Sequence, residues 1–245
     1  MSKNTKLTKL PGRSKKYSEN AKKILAATKN NTLLLDLETG IKLLLDLDQP
    51  KFKQGPTLEL HFKLNIDPTK SDQIVRNSVN LPHGTGNKVI LAAFVTPEKE
   101  KEALASGADI VGGDELIEQI KKDEKINFDK AIAQPEMMKK LPAIARILGV
   151  AGVMPNPKTG TVGDNIAELI KTFKAGRVDY KNDKSGNLHI IFGKINKEFN
   201  LEKLLENANS ALDSVQKSKP EAVKKRYISS IHICSTNSPS IKISL

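Results

Sequence analysis

The chain has 245 residues, 38% of them hydrophobic, which is enough for one large or two small domains with a core. It has no apolar run near the roughly 18 residues of a membrane span, and no apolar segment follows its basic N-terminus as in a signal peptide, so we expect a cytosolic protein. The net charge of +12 favours an anionic partner, most often a nucleic acid, over a merely solvated basic surface.

The first part of the chain begins with a basic tail and continues into two helices and a strand. Residues 1–16 are rich in lysine and lack apolar periodicity, which predicts disorder until they meet a polyanion. Helical spacing of apolar residues predicts a helix over residues 17–27 and a second that starts near Leu37 and ends before Pro50. Strict alternation over residues 57–66 predicts a half-buried strand, and its outward face presents Glu59, His61 and Lys63.

Between residues 84 and 158 the pattern changes to short apolar strands separated by helices. Strands are predicted at 89–95, 109–111 and 128–133; helices are predicted after Pro97, after Asp114 as a cap, and after Pro135. This alternation indicates a small α/β sheet covered on both faces, a three-layer Rossmann-like arrangement. The segment holds 11 basic and 11 acidic residues, so the whole charge excess lies outside it.

The remainder of the chain resumes the first pattern. We expect a helix over 164–174, a hairpin of 177–180 with 188–192, a helix over 201–212 and final strands at 227–233 and 241–243. The economical interpretation is an α+β split domain, an antiparallel sheet with helices on one face, built from residues 17–83 and 159–245. Residues 84–158 then form an inserted α/β domain.

Two segments rich in proline and glycine border this predicted insert. Pro155 and Pro157 disfavour the α region for the residues before them, so residues 149–163 are expected to be an extended, rigid crossing. We predict a hinge made by both crossings, with the following residues: Pro82, His83, Gly84, Pro155, Asn156, Pro157 and Lys158.

Catalytic chemistry is not evident in the sequence. Residues 84–88 precede a strand and lack the Gly-Lys-Ser/Thr ending of a Walker loop, and the acids near Asp114 are better explained by helix capping and a solvated face. His83 is better explained as a hydrogen-bonded hinge residue than as a base. The four scattered histidines give no metal-ligand spacing, and Cys234 is expected to be a small core residue. We therefore predict neither an enzyme nor a cofactor or metal.

Residues 152–162, Gly-Val-Met-Pro-Asn-Pro-Lys-Thr-Gly-Thr-Val, resemble the signature of the bacterial-type large-subunit ribosomal protein family L-one. Further matches follow in family order: residues 72–76, 81–86, 107–109, 128–129, and 182–186 followed by His189. Together they cover roughly residues 12–243, and an ordered series of this kind is highly specific.

The resemblance implies a split, basic first domain that grips a folded region of large-subunit (23S-type) ribosomal RNA and forms a mobile stalk. It also implies that the protein guides deacylated tRNA out of the exit site and represses translation of its own mRNA. The implied partners are therefore large-subunit rRNA, exit-site tRNA, the protein's own mRNA and other ribosomal components. The implied location is the ribosome in the cytoplasm, with an organellar ribosome left open.

Carried over from the family, the candidate RNA-binding residues are Lys51, Phe52, Thr57, Glu59, Lys184, His189, Lys194, Thr236, Asn237 and Ser238. Phe52 can stack on a base or sugar, whereas Thr57 and Glu59 can bond to 2′-hydroxyls. Without the resemblance, Phe52 would be assigned to the core and Glu59 to a solvated face. The chain departs from the family where Asn237-Ser238 replaces Met-Gly, and where residues 54–56 lengthen the loop before the strand.

Two alternatives from other functional classes remain open at this stage. One is a dedicated mRNA-binding regulator that acts outside the ribosome. The other is a small α/β enzyme whose basic arms serve only for localisation. Sedimentation with large subunits would distinguish the first from a ribosomal protein, and turnover of a small substrate would support the second.

Overall fold

The computed structural model describes residues 14–29, 33–224 and 226–244. The helices in these ranges are α1 Lys15–Ala27, α2 Leu37–Leu45, α3 Glu100–Ala105, α4 Asp114–Asp123, α5 Ala145–Val150, α6 Ile166–Lys174 and α7 Leu201–Lys217. The strands are β1 Thr57–Leu64, β2 Arg76–Asn80, β3 Leu91–Phe94, β4 Ile110–Gly112, β5 Lys130–Ala133, β6 Arg177–Lys181, β7 Asn187–Lys194, β8 Ile228–Ser235 and β9 Ile241–Ile243. In the described part of the chain, no helix has the length and apolar character that a membrane crossing requires.

The chain divides by its internal contacts into two compact units. Unit 1 comprises Met1–Ile74, Asn182–Asn209 and Lys219–Leu245, and unit 2 comprises Val75–Lys181 and Ser210–Ser218. Unit 1 carries 23 Lys and Arg against 13 Asp and Glu, whereas unit 2 carries 17 against 15. The charge asymmetry that the sequence indicated therefore persists with these boundaries.

Unit 1 contains the antiparallel sheet, in the order β7-β1-β8-β9. The alternation predicted for β1 is confirmed, because Leu58, Leu60, Phe62 and Leu64 are at most 2% exposed and the residues between them are half-buried or exposed. Helix α2 packs on β8 and β9. Helix α7 is tied to β7 by a buried side chain, since the amide of Asn207 donates to the carbonyl of Phe192 at 2.9 Å.

Unit 2 contains a parallel three-stranded sheet in the order β4-β3-β5. Alternate residues of β3 and β5 enter two apolar clusters, so both faces of this sheet are covered. One cluster joins Ala92 and Phe94 to α4 and α5, and the other joins Leu91 and Ala93 to α3 and α6. The short, continuously apolar strands of the sequence are thus explained by burial on both sides.

Helix α6 lies in unit 2 because its apolar side chains, Ile166, Ile170 and Phe173, pack on the parallel sheet. The contacts also place β2 there, since it pairs with β6 in a separate two-stranded sheet. By internal contacts the unit boundaries fall after residues 74, 181, 209 and 218, whereas the sequence placed domain boundaries after residues 83 and 158, and those domain boundaries stay a prediction.

The predicted hairpin of residues 177–180 with 188–192 is wrong. Strand β6 pairs with β2, which the sequence did not predict, whereas β7 pairs with β1. The chain turns at Asp183, whose backbone N–H donates to the carbonyl of Asn187, and the Gly186 carbonyl then accepts from Leu64 of β1 at 2.9 Å. Strand β6, which precedes this turn, and strand β7, which follows it, consequently belong to different sheets.

Several helix starts differ from their predictions. Ser14 caps α1 by accepting from the backbone of Tyr17, so the helix begins at Lys15, inside the predicted tail; residues 1–13 of that tail lie outside the described residues. Asp114 is the first residue of α4 and not its cap, and its carboxylate pairs with Lys140 at 2.6 Å. Two short 3-10 turns follow Pro135, and an α-helix begins only at Ala145.

The crossing at residues 149–163 is not extended throughout. Its first two residues end α5, and Pro157–Thr159 form a 3-10 turn. The Asn156 carbonyl accepts from the backbone of Thr159 and of Thr161, at 3.1 and 3.3 Å, which curls the chain immediately after Pro155. All the predicted hinge residues lie within unit 2, and their role as a hinge stays a prediction.

Candidate nucleic-acid interface

The outward face of the unit 1 sheet carries polar side chains from three strands. Glu59, His61 and Lys63 of β1 stand opposite Cys234, His232 and Ser230 of β8, respectively. On the other side, His189 of β7 stands opposite His61. The row His189, His61, His232 continues to Lys242 of β9, so three of the four histidines of the chain lie side by side. We call this surface the polar face.

Cys234 belongs to the polar face and not to the core, which corrects its predicted place. It is only half-buried, whereas its neighbours Ile233 and Ser235 are buried on the inner side of β8. The period-two pattern of Ile231 and Ile233 is a signal in the sequence that could have placed Cys234 and His232 outward. Neither residue was among the predicted site residues.

His61 makes two close contacts on this face. Its Nε2 lies 2.9 Å from the Cys234 sulfur, and its Nδ1 lies 2.6 Å from Nδ1 of His189. Burial, assisted by His189, lowers the pKa of His61 even though Glu59 acts in the opposite direction. Burial and, to a lesser extent, Glu59 raise the pKa of the Cys234 thiol to about 11. The thiol is therefore protonated at neutral pH and lies within hydrogen-bond distance of Nε2 of His61.

Phe52 and Lys51 are exposed in the loop that leads into β1. The Phe52 residue is 46% exposed, which corrects the core position that the sequence alone favoured. The loop is closed by a hydrogen bond from the Gly55 N–H to the Phe52 carbonyl at 3.2 Å. Gly55 has φ 79°, and a Cβ there would overlap the carbonyl oxygen of Ile195. Glycine thus lets the lengthened loop pack closely while Phe52 faces solvent.

Lys194 does not present its charge at the surface. The residue is 4% exposed, and its Nζ donates to the side-chain oxygen of Gln54 at 2.7 Å. In the sheet, Lys194 is paired across the strands with Thr57, the first residue of β1. Lys194 therefore stabilises the loop of residues 51–56 through its bond to Gln54. It is not among the RNA contacts that we propose.

Thr236 clamps the end of β8 to the start of β1. Its hydroxyl accepts from the Thr57 N–H at 3.0 Å, and its own N–H donates to the Thr57 carbonyl at 3.0 Å. Asn237, which follows, is exposed and has φ 62°. Ser238 closes the turn by accepting from the Ser235 N–H at 2.9 Å. The left-handed position of this loop is therefore residue 237, and Ser238 contributes a hydrogen bond that glycine would lack.

The conformation of Asn237 gives a prediction about stability. Left-handed backbone costs most L-residues about 1–2 kcal/mol, whereas Asn and Gly adopt it readily. Asn237→Met is expected to lower the free energy of unfolding by about 1 kcal/mol, and the matched change Asn237→Gly should leave it nearly unchanged. Urea unfolding followed by circular dichroism measures both; equal stability of the Met and Gly variants would contradict the assigned backbone conformation.

At the opposite end of the polar face, Lys184 is exposed on a rigid turn. The Asp183 carboxylate accepts from the backbone of Asn187 and Ser185 at 2.7 and 2.8 Å, and these bonds, chiefly that from Asn187, lower its pKa. Lys63 donates to the Ser185 carbonyl at 2.6 Å. Apart from Lys194, the predicted residues thus lie near the two ends of β1, with Glu59 and His189 between them on the polar face.

Comparison with known proteins gives consistent matches along this chain. The model of the ribosomal protein L1p/L10e family matches residues 14–239. The large ribosomal subunit protein uL1 of Kosmotoga olearia is 48% identical over 96% of this chain and 97% of its own length. The protein of the same name from Thermosipho africanus is 43% identical over the same shares, and the uL1c protein of Arabidopsis thaliana is 47% identical over 95% of this chain and 64% of its own length.

Proposed function

The chain belongs to the ribosomal protein L1p/L10e family, and from this we infer that it is a non-enzymatic structural protein of the large ribosomal subunit. We place it in the cytoplasmic ribosome and assign its rRNA contacts to unit 1. The observation that carries this assignment is the polar face, together with exposed Phe52 and Lys184 in the loops near the two ends of β1, on the unit that holds most of the charge excess.

The chemistry of this surface suits folded RNA. Exposed lysines can neutralise phosphates, an exposed aromatic ring can stack on a base or sugar, and Glu59 can accept from 2′-hydroxyls. The contacts we propose are Lys51, Phe52, Thr57, Glu59, Lys184, His189 and the loop of Thr236, Asn237 and Ser238. Thr57 and Thr236 contribute in part by fixing that loop, because each is bonded to the other.

The finer parts of the function follow from the same resemblance. We propose that the protein forms a mobile stalk with its rRNA and guides deacylated tRNA from the exit site. We propose further that it represses its own mRNA when that mRNA presents a fold similar to the rRNA site. The hinge residues near Pro82 and Pro155 would serve the motion of this stalk.

Sequencing the RNA that is cross-linked to the protein in cells tests the proposed function. We expect one dominant site in large-subunit rRNA, a minor one in the protein's own mRNA, and co-sedimentation of the protein with large subunits at moderate salt. Enrichment of other mRNAs without rRNA, together with the absence of co-sedimentation, would instead identify a regulator outside the ribosome.

The salt dependence of RNA binding tests which unit contacts phosphates. Replacing a lysine that contacts one phosphate lowers the slope of log K against log salt by about 0.7–0.9. We expect this decrease for Lys51→Gln in unit 1 and an unchanged slope for Lys139→Gln, an exposed residue of unit 2. Titrations of rRNA fragments at several salt concentrations measure it, and equal slopes for both variants would contradict the assignment to unit 1.

A further inference from the structure

The polar face brings together three side chains of the types that bind transition metals. Glu59 and Cys234 stand directly opposite each other on β1 and β8, and His61 is two residues along β1 on the same face. The His61 Nε2 lies 2.9 Å from the Cys234 sulfur and 3.6 Å from a Glu59 carboxylate oxygen. Within the described ranges this is the one such group of His, Cys, Asp or Glu, and its donor atoms all lie within 4.8 Å of one another.

These separations are close to those of a metal centre. Tetrahedral zinc, with bonds of about 2.0–2.3 Å, places neighbouring ligand atoms about 3.4–3.6 Å apart. Moving the Cys234 sulfur by less than about 1 Å from Nε2, with a small adjustment of the Glu59 side chain, which lies within 4.8 Å of it, would therefore admit an ion. All three side chains are half-buried, so they are held by the sheet and remain reachable from solvent.

We propose that Cys234, His61 and Glu59 form a site for a zinc-class divalent ion, with water as the fourth ligand. Sulfur and imidazole donors select such ions over magnesium and calcium, which prefer oxygen. The carboxylate and the thiolate together neutralise the two charges of the ion. When the ion binds, the thiol proton leaves to solvent and the sulfur becomes a ligand.

His189 orients the imidazole for this role. Its Nδ1 lies 2.6 Å from Nδ1 of His61, and the other ring nitrogen of His61, Nε2, faces the Cys234 sulfur. A hydrogen bond to the other ring nitrogen commonly fixes the tautomer and rotation of a metal-binding histidine. An ion bound at Nε2 requires the neutral tautomer of His61 with its proton on Nδ1, and His189 lies where it can accept that proton in a hydrogen bond.

The site has a consequence that rests on the proposed function. Glu59 is one of the proposed RNA contacts, and a carboxylate that holds a metal ion is no longer free to accept from 2′-hydroxyls. The ion and the RNA therefore compete for the polar face, and zinc should weaken RNA binding.

Titration of the full chain with Co²⁺, a spectroscopic substitute for Zn²⁺, tests the site without RNA. Because Cys234 is the only cysteine, a thiolate-to-cobalt absorption band reports on this site alone. We expect one equivalent to give the band and Zn²⁺ to displace it. Cys234→Ser should abolish the band, and His61→Gln should weaken binding at least about tenfold. His232→Gln, a histidine of the same face outside the ligand set, should leave binding unchanged.

A second measurement uses the unaltered protein and so does not depend on how the variants fold. Zn²⁺ should slow alkylation of Cys234 by iodoacetamide at least about tenfold, because a bound thiolate is withheld from the reagent, whereas Mg²⁺ should have no effect. Absence of the cobalt band, or alkylation at the same rate with and without Zn²⁺, would overturn the site.

RNA titration with and without Zn²⁺ tests the competition separately. Zn²⁺ should raise the dissociation constant severalfold in the native chain and leave it unchanged in Cys234→Ser. If Zn²⁺ raised the dissociation constant equally in the native chain and in Cys234→Ser, the proposed competition would be wrong even if the cobalt band is observed. Failure to bind rRNA in the absence of any metal would count against the proposed function and not against the metal site.

Discussion

Gly176→Ala is expected to destabilise unit 2 by about 2–4 kcal/mol, the combined scale of backbone strain and of overpacking in a closed site. Gly176 has φ 115°, and its Cβ would overlap the Cα of Gly84 and lie 3.0 Å from the Gly84 nitrogen. These atoms are backbone, so they cannot move aside as the end of a side chain could. The Leu81 N–H also donates to the Gly176 carbonyl at 3.2 Å, which joins the start of β6 to the turn after β2.

Gly149→Ala is the matched control for this change. Gly149 lies in α5 of the same unit, and its added Cβ would have no neighbour within 4 Å. Alanine favours a helix over glycine by up to about 1 kcal/mol, so this variant should be neutral or slightly more stable. Urea unfolding by circular dichroism, with hydrogen exchange of the β2 and β6 amides, measures both variants. Equal stability of the two would show that residues 84 and 176 are not in close contact.

Phe52→Ala is expected to weaken rRNA binding by about 1–3 kcal/mol, the range found when an aromatic side chain that stacks on a base is truncated. The ring is exposed and its loop is closed by the Gly55 to Phe52 hydrogen bond, so little ordering of this segment is needed on binding. The folded state should keep its stability, because an exposed side chain contributes little apolar burial.

Leu104→Ala provides the comparison for Phe52. Leu104 is 56% exposed in α3 of unit 2, so its truncation removes a similar exposed hydrophobic side chain away from the polar face. Titration of one rRNA fragment at a fixed salt concentration should give native affinity for this variant. Phe52→Tyr should also retain it, since the ring remains. Native affinity for Phe52→Ala would remove the loop before β1 from the RNA site.

Local patterns were sufficient for most elements of this chain. The alternation over residues 57–66 predicted β1 and its outward face, because burial of one side of a strand imposes a period of two on the sequence. The continuous apolar run at residues 89–95 and the shorter apolar segment within residues 128–133 predicted two strands of a doubly covered sheet, and both were found in parallel pairing. Charge counts located the excess of basic residues in what proved to be unit 1.

Local patterns failed where long-range contacts decide the structure. Strand β2 buries only Val79, so its sequence has no strand signal, and it exists because β6 pairs with it. The family resemblance likewise offered Lys194 as an RNA contact, but this lysine is buried and donates to the Gln54 side chain. The left-handed backbone of Asn237 and the hydrogen bond from the Ser235 N–H to the Ser238 hydroxyl were also not evident from the sequence.

Composition, periodicity and ordered motifs were sufficient to predict most element types, the faces of the long strands, the charge distribution and the family. Which strands are neighbours, and therefore which outward side chains meet, depends on long-range contacts. His61 and Cys234 are 173 residues apart in the chain, and their contact depends on the register of β1 with β8. A two-residue period in the sequence indicates which side of a strand a residue occupies, but it carries no information about the partner of that residue across the sheet. The cluster of Glu59, His61 and Cys234 could therefore not be predicted before the pairing of the strands was known.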